Sequence, residues 1–336
     1  MRKKFFMPEE WKEHSKTYME FPVRESLWKE KISEVQESYA EVANKISEFE
    51  KLVMICDPKK INIAKRLLSS EIEILELEHD DSWMRDNGPT FLVDDENETL
   101  SAIVWRFNSW GERYIPYDKE AKVAKELVET LKIPYIESKL IMEGGSFHVN
   151  GKGKILTTEE CLLNKNRNPN HTKIEIENEL KEKLGGETVI WLPYGLYEDD
   201  TDGHIDNIAV FIDEKTILMQ DSNEDNSANK KRYTENRKII ESFGDLNLVT
   251  IQEPPERFYN KIRLSQSYIN FYFVNGGIIL PKFGGDAKKM DEMASDFLKE
   301  FFPNRKIVSL DGTRIILGGG NIHCITQQVP KVKEVA

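Results

Sequence analysis

The sequence predicts an α/β fold in which one structural unit is used about five times and closed into a ring. Amphipathic helical stretches recur along the whole chain, and most are followed by a short apolar run of strand character. Two-stranded elements with polar turns begin near residues 88, 144, 204 and 268, a period of about 55–65 residues. That period is too long for a common solenoid repeat and too short for independent domains. An irregular mixed α/β sheet is the alternative that periodicity leaves open.

Taken in order, helices are expected over residues 28–49, 59–68, 118–131, 171–184, 230–243 and 286–302, where apolar residues return at helical spacing. Strands are expected over 51–56, 133–141, 187–192, 246–251 and 306–310, each following a helix. The two-stranded elements are 88–107, turning within DDENET; 144–163, turning at NGKG; 203–220, turning at DEK; and 268–283, turning at NGG. One pair is then missing. Segments 17–22 and 320–330 can supply it, so that the N- and C-terminal parts complete one unit together. No shift in composition marks a linker, and residues 1–336 are read as a single domain.

Apolar residues make up 39% and charged residues 32% of the 336. That supports a core and excludes a disordered, collagen-like or low-complexity chain. The 47 basic and 59 acidic residues give a net charge of −12. A polyanion-binding surface needs a positive footprint, so nucleic acid and anionic membrane are poor partners, whereas a cationic substrate is compatible. The longest apolar stretches, such as FYFVNGGIILP at 271–281, fall far short of a bilayer span, and MRKKFFMPEEW is not a signal peptide. Cys56, Cys161 and Cys324 are odd in number and widely spaced, which makes neither a disulfide framework nor a thiolate metal site. A cytoplasmic protein is expected.

The chemistry concentrates where the predicted strands begin. LGGGNIHCITQQVP at 317–330 has the glycines of a phosphate loop, but a β-branched, extended stretch follows rather than a helix N-terminus. What remains is Cys324 on a strand beside glycines that permit close approach. It is either a nucleophile or an inert core cysteine, and Cys56 and Cys161, embedded in apolar sequence, take the second reading. A nucleophile needs a base. His323 is adjacent and would point to the opposite face of a strand. His204 and Asp206 in DGHID share a face at a strand start, one able to move protons and the other to hold a cation. A histidine hydrogen-bonded in a turn is the plainer alternative. Glu143 precedes Gly144–Gly145, and Asp86 lies in DDSWMRDNGPT beside Trp83, which reads as an aromatic wall among anionic groups. His148 is a rival base whose strand parity differs from that of Glu143. No paired-cysteine or HxxxH ligand set is present, so a metal is the weaker reading of these carboxylates. A thiol, a histidine and several carboxylates converging in a ring suit a planar cation such as guanidinium.

EWKEHSKTYMEFP, DDSWMRDNGPTF, EGGSFHVNGKGKILTTEECLLNKNRNP, DTDGHIDN and GGGNIHCITQQVP, in this order over residues 10–330, closely resemble agmatine deiminases of the guanidine-modifying, peptidylarginine-deiminase-like superfamily. The resemblance implies a five-bladed α/β propeller with pseudo-fivefold repeats and a central active site. It also implies hydrolysis of agmatine to N-carbamoylputrescine and ammonia, without metal or organic cofactor, and a homodimer as a family-level expectation. Cys324 matches the family nucleophile, His204 the general acid/base, Glu143 the glutamate supporting it, and Asp86 and Asp206 the aspartates that grip the guanidinium. Trp83 and Asp200 fall where the family shapes the pocket around the chain and amine of the substrate. Tyr18 and Phe21 stand where the family usually carries tryptophans, and Asp200 where a longer acid can occur. A deiminase of free or peptidyl arginine is the neighbouring alternative, with Arg85 or Arg167 available for a carboxylate. A non-catalytic polyamine-binding protein is the alternative of a different class.

Overall fold

The computed structural model describes residues 4–94, 96, 98–224 and 227–333. It is an α/β fold of mixed sheets. Five sheets share one plan, in which two strands form an antiparallel pair and the chain then runs through a helix and returns to add a parallel strand beside the second of the pair. Phe147–Val149 pairs antiparallel with Lys154–Thr158, the helix Lys173–Leu184 follows, and Thr188–Leu192 returns parallel to Lys154–Thr158. Ala209–Phe211, Thr216–Asp221, helix Lys230–Glu241 and Asn247–Gln252 repeat this, as do Tyr272–Val274, Gly277–Lys282, helix Lys288–Phe301 and Lys306–Asp311. Thr90–Asp94, Leu100–Arg106, helix Glu120–Thr130 and Tyr135–Ile141 form a further copy, with Phe5–Phe6 added at its edge.

The fifth sheet closes the chain on itself. Thr326–Pro330 pairs antiparallel with His14–Glu20, Thr326 opposite Met19 and Gln328 opposite Thr17. Helix Ile32–Ile46 leads to Leu52–Cys56, parallel to His14–Glu20, and helix Ile61–Leu67 leads to the edge strand Glu73–Glu76. The predicted union of the two terminal segments is therefore present. One detail of the reading changes: the strand after each helix joins the hairpin before it, because a parallel partner is reached only by a crossover long enough to hold a helix. The turn expected within DDENET includes Asp95 and Asn97, which lie outside the described residues.

The sequence fixes these elements locally. Helix Lys173–Leu184 starts with a capping box, in which Thr172 Oγ1 accepts from the Glu175 N–H while the Glu175 carboxylate accepts from the Thr172 N–H, and it stops at Gly185 with φ 69°. Its buried Ile176, Leu180 and Leu184 recur every fourth residue and face the sheet. All five residues of Leu52–Cys56 are buried, as a strand with neighbours on both edges requires. Tyr18 and Phe21 are buried in packing, Tyr18 stacked against Phe91 at 6.4 Å, so these departures from the family pattern alter the core rather than the rim of the site. No helix among the described residues is long and apolar enough to cross a membrane.

Beneath the Trp83 loop, one buried guanidinium faces three buried carboxyl groups. Arg24 Nε lies 2.8 Å from Asp81 Oδ2 and its Nη2 3.2 Å from Glu120 Oε2, while Glu20 accepts from Asn87 Nδ2 at 3.0 and 3.1 Å. Burial, with repulsion from neighbouring carboxylates, holds Glu20 and Glu120 well above their ordinary range, and burial raises Asp81 to about 6 against the pull of Arg24. The folded chain therefore holds these protons at a pH where the unfolded chain has released them. This contribution to stability is complete in mild acid, below the unfolded values, and is lost as pH rises through the raised values. Glu120→Gln should raise Tm at pH 8 by roughly 2–4 °C, the effect of about 1 kcal/mol in a large domain. It should raise Tm less at pH 5, as thermal melts at the two pH values would show.

Candidate active site

Each of the five sheets is preceded, just ahead of its first hairpin strand, by a residue that reaches the same place. Asp86 lies in the short helical turn Met84–Asn87 before Thr90, Glu143 before the turn Gly144–Ser146, His204 and Asp206 at the turn Ile205–Asn207, Asn270 before Tyr272, and Cys324 before Thr326. All are buried. Gly145 is the hub on which three of them close. A β-carbon there would stand 2.7 Å from His204 Nδ1, 2.9 Å from Asp206 Oδ2 and 2.9 Å from Asp86 Oδ1, so no larger residue fits. The Gly145 N–H donates to Asp86 Oδ1 at 2.9 Å.

Two local expectations change. Cys324 stands in the turn 322–325 rather than on a strand, which begins at Thr326, and His204 precedes and Asp206 lies within a 3₁₀ turn rather than both sharing a strand face. Polar side chains that satisfy the backbone locally favour turns over extended chain: Asn321 Oδ1 accepts from the Ile322 N–H, and Thr326 Oγ1 donates to the Ile322 carbonyl. Consequently His323 and Cys324 do not point to opposite faces. The His323 Nδ1 lies 2.8 Å from Asp206 Oδ2, and the Cys324 thiol donates to the same oxygen at 3.5 Å.

Around these groups the charges are arranged in pairs. His204 Nδ1 is 3.7 Å from Asp86 Oδ1, and its Nε2 is 3.5 Å from Glu143 Oε2. Burial opposes charge on His204, but the Asp86 carboxylate, Cys161 and Glu143 outweigh it and hold the imidazole well above its usual pKa. Burial likewise works to raise Glu143, yet Arg167, whose Nε donates to Oε1 at 2.6 Å, and His204 bring it below its ordinary value. Asp86 rises to about 6, by burial and by the nearby Asp206 and Glu143 charges against the pull of His204. Asp206 is lowered because His323 and His204 overcome the cost of burial. Burial, with the charges of Asp206 and Asp86, raises the Cys324 thiol well above a free cysteine, so it is protonated while no cation lies beside it.

A cavity of about 290 Å³, open to solvent, descends to Cys324 and Asp86 between Trp83, Trp110, Tyr114, Asp200, Thr201 and Gly318–Gly320. Trp83 is buried edge-on to Trp110 and leans on Trp28, so it is a wall of this cavity. Asp200 sits at the mouth with 31% of its side chain exposed, 2.9 Å from Arg113 Nη1. The other histidine and arginines have structural partners. His148 Nδ1 accepts from the Phe211 N–H at 3.2 Å. Arg85 donates to Glu10 at 3.2 Å and Gln328 at 2.8 Å, and Arg167 holds Glu143 and Asp202.

Four residues escaped the sequence reading. Asn270 Nδ2 donates to Cys324 Sγ at 3.2 Å, and its Oδ1 accepts from the His323 N–H at 3.0 Å. Its one signal was a polar residue inside the apolar run YINFYF. Trp110 Nε1 donates to Asp86 Oδ2 at 3.0 Å from a segment, Ser109–Glu112, in which all four residues have positive φ. Glu10 grips His323 Nε2 at 2.9 Å from the other end of the chain. Cys161, expected to be an ordinary core residue, lies against His204 and Glu143, with one potential ligand atom of each within 4.8 Å of the others.

Thiol, amide, imidazole and carboxylates gathered from five sheets describe a deiminase class of site, and comparison with known proteins gives the same class. The chain belongs to the family described as Porphyromonas-type peptidyl-arginine deiminase, whose sequence signature spans residues 6–330. Within it the chain is similar to proteins named agmatine deiminase: that of Medicago truncatula is 37% identical over 364 aligned positions, covering 98% of this chain and 97% of the relative. A solved agmatine deiminase of Enterococcus faecalis, described as catalysing its reaction, superposes with a TM-score of 0.92 at 31% identity, over 97% of this chain and 96% of that one. A cysteine-to-serine variant of the C. jejuni agmatine deiminase, with substrate bound, superposes with a TM-score of 0.90 at 29% identity, over 98% and 97% of the two chains.

Proposed function

We propose that this protein is an agmatine deiminase, hydrolysing agmatine to N-carbamoylputrescine and ammonia through a covalent adduct on Cys324. The observation that carries the reading is a pair of buried carboxylate oxygens with no hydrogen-bond partner among the described residues, Glu143 Oε2 and Asp206 Oδ1, on either side of His204. Buried acceptors left unpaired are costly, and a planar cation with several N–H donors is the ligand that would satisfy them together beside a thiol. Full-length similarity to agmatine deiminases supports the same substrate.

In this mechanism Asp86, Asp206 and Glu143 hold the guanidinium so that its carbon faces Cys324 Sγ. The bound cation offsets the Asp206 and Asp86 charges that keep the thiol protonated, so the thiol gives its proton to solvent and the thiolate forms. Attack gives a tetrahedral adduct. The carbon–nitrogen bond breaks as His204 gives its proton to the departing ammonia, leaving an S-alkylthiouronium. His204 next takes a proton from water, whose oxygen attacks the same carbon, and the carbon–sulfur bond breaks to release the ureido product. Trp83 would pack along the aliphatic chain, with Asp200 near the distal amine.

Five sheets that each lead one residue to a common point support a five-bladed α/β propeller with pseudo-fivefold repeats, acting as one catalytic domain over residues 1–336. Three free cysteines support a reducing, cytoplasmic setting. The reading includes a possible homodimer and a role in putrescine biosynthesis, since removing the carbamoyl group from the product yields the diamine.

Deimination of arginine or peptidyl arginine is the competing reading. It needs a cation for the carboxylate, and Arg85 and Arg167 are already committed to buried partners. Product analysis with agmatine, arginine and an arginyl peptide tests the choice. Ureido product and ammonia from agmatine alone are expected, and equal turnover of arginine would overturn the substrate assignment. At the mouth, an acidic side chain attracts an amine and repels an α-carboxylate. Asp200→Asn should therefore raise KM for agmatine more than it lowers kcat, and should narrow the preference for agmatine over arginine. Since Arg113 already pairs with Asp200, the expected change in KM is about 3–10-fold rather than a complete loss. Kinetics on both substrates decide this, and an unchanged ratio of kcat/KM values removes Asp200 from recognition.

A further inference from the structure

The mechanism leaves unused a buried thiol beside its histidine. Cys161 sits in the short helix Glu159–Leu162 and is fixed by its N–H, which donates to the capping Thr158 Oγ1 at 3.2 Å. One potential ligand atom each from Cys161, Glu143 and His204 lie within 4.8 Å of one another, and all three residues are fully buried. Two atoms of this trio, Glu143 Oε2 and His204 Nε2, have no hydrogen-bond partner among the described residues and stand 3.5 Å apart. That is close to the edge, about 3.4 Å, of a tetrahedron whose centre makes bonds of about 2.0–2.1 Å to nitrogen and oxygen.

We propose that Glu143, Cys161 and His204 form a binding site for Zn²⁺ or another thiophilic divalent cation, and that occupancy inhibits the protein. One sulfur, one imidazole nitrogen and one carboxylate oxygen are a zinc-like donor set, unlike the all-oxygen surroundings that magnesium and calcium prefer. Three protein ligands leave a fourth position for water. The charges balance: a thiolate, a carboxylate and a neutral imidazole neutralise the ion, and the protons of the Cys161 thiol and of the imidazolium pass to solvent. Arg167 occupies the other oxygen of Glu143 at 2.6 Å, so the two cations use opposite sides of one carboxylate. The acidic cavity ends at Asp86, 3.7 Å from His204 Nδ1, so the trio lies one side chain beyond its floor. Inhibition, though not binding, rests on the roles assigned above to His204 and Glu143. An ion there takes the nitrogen that moves protons and competes with the guanidinium.

Cobalt(II) is the probe for binding, because thiolate coordination gives it a charge-transfer absorption. In Cys324→Ala, which lacks the other candidate thiol, Co²⁺ should produce that band at one equivalent and Zn²⁺ should displace it. The band should vanish in Cys161→Ala/Cys324→Ala. With Cys324 intact, Zn²⁺ should inhibit ammonia release from agmatine competitively and Mg²⁺ should not, and Cys161→Ala or Cys161→Ser should lose at least tenfold in zinc sensitivity. Absence of the band in Cys324→Ala overturns the site without requiring any Cys161 variant to fold. Unchanged zinc sensitivity in a folded Cys161 variant also overturns it. A chain that turns over no guanidine but keeps the Cys161-dependent band would refute the proposed function and leave the metal site standing.

Discussion

Replacing Cys324 with alanine is expected to reduce ammonia release from agmatine below detection, a loss on the order of 10³-fold or more, while the folded chain still binds substrate. The thiol is the atom the cavity reaches, held by Asn270 Nδ2 at 3.2 Å and bonded to Asp206 at 3.5 Å. Removing it leaves the carboxylate cradle in place. Binding measured by calorimetry should persist within a few-fold, since Asp86, Asp206 and Glu143 supply the contacts to the cation. Cys56→Ala is the control, because Cys56 lies in a buried strand remote from these contacts and should affect stability at most. Substantial turnover in Cys324→Ala would remove covalent catalysis from the account.

The next largest effect should come from His204→Ala, which on the proposed mechanism removes the proton donor for ammonia and the acceptor for water. A loss of roughly 10²–10⁴-fold in kcat is expected, the usual contribution of a placed acid/base group. His148→Ala should retain turnover at the level its stability allows, because the His148 ring accepts a backbone N–H and packs on Phe211. The reverse result would reassign the base. Asp86→Asn and Asp206→Asn should each weaken a charge-assisted contact worth about 1.5–3 kcal/mol, so kcat/KM falls by tens-fold or more. Asn is the better probe than Ala at Asp206, since this carboxylate also anchors His323.

Much of this fold was legible because its signals are local. Helices 118–131, 171–184, 230–243 and 286–302 appear within a few residues of their predicted limits, since amphipathic spacing, a cap such as Thr172 and a stop such as Gly185 act within one or two turns. Strand Glu73–Glu76 was missed because it is an edge: its sequence, EILE, has only two half-buried apolar residues between exposed acids, too short a run to detect. The terminal pairing was inferred by counting units, not from either segment alone. Around the site, the glycine-flanked Cys324, His204 and Glu143 stood out because glycine beside a reactive residue marks close approach. Residues such as Glu10 and Asn270 did not, because their roles depend on partners 313 and 54 positions away. Strand parity also misled at 204–206 and 323–324, where turns replace extended chain. The side chains converge there through packing around Gly145 instead.

The pairing of Thr326–Pro330 with His14–Glu20 has a consequence for how the protein comes into being. Ser15 and Val329 are joined by a hydrogen bond across 314 positions of sequence, and the Lys331 N–H reaches the Glu13 carbonyl. Closing a loop of that length costs about 5 kcal/mol of chain entropy before its contacts repay it, so this sheet should be completed late in folding. During synthesis Cys324 is made after Asp86, Glu143, His204, Asp206 and Asn270. On the proposed mechanism a growing chain therefore holds carboxylates and imidazole before it has its nucleophile, and turnover begins only once Thr326–Pro330 has joined His14–Glu20.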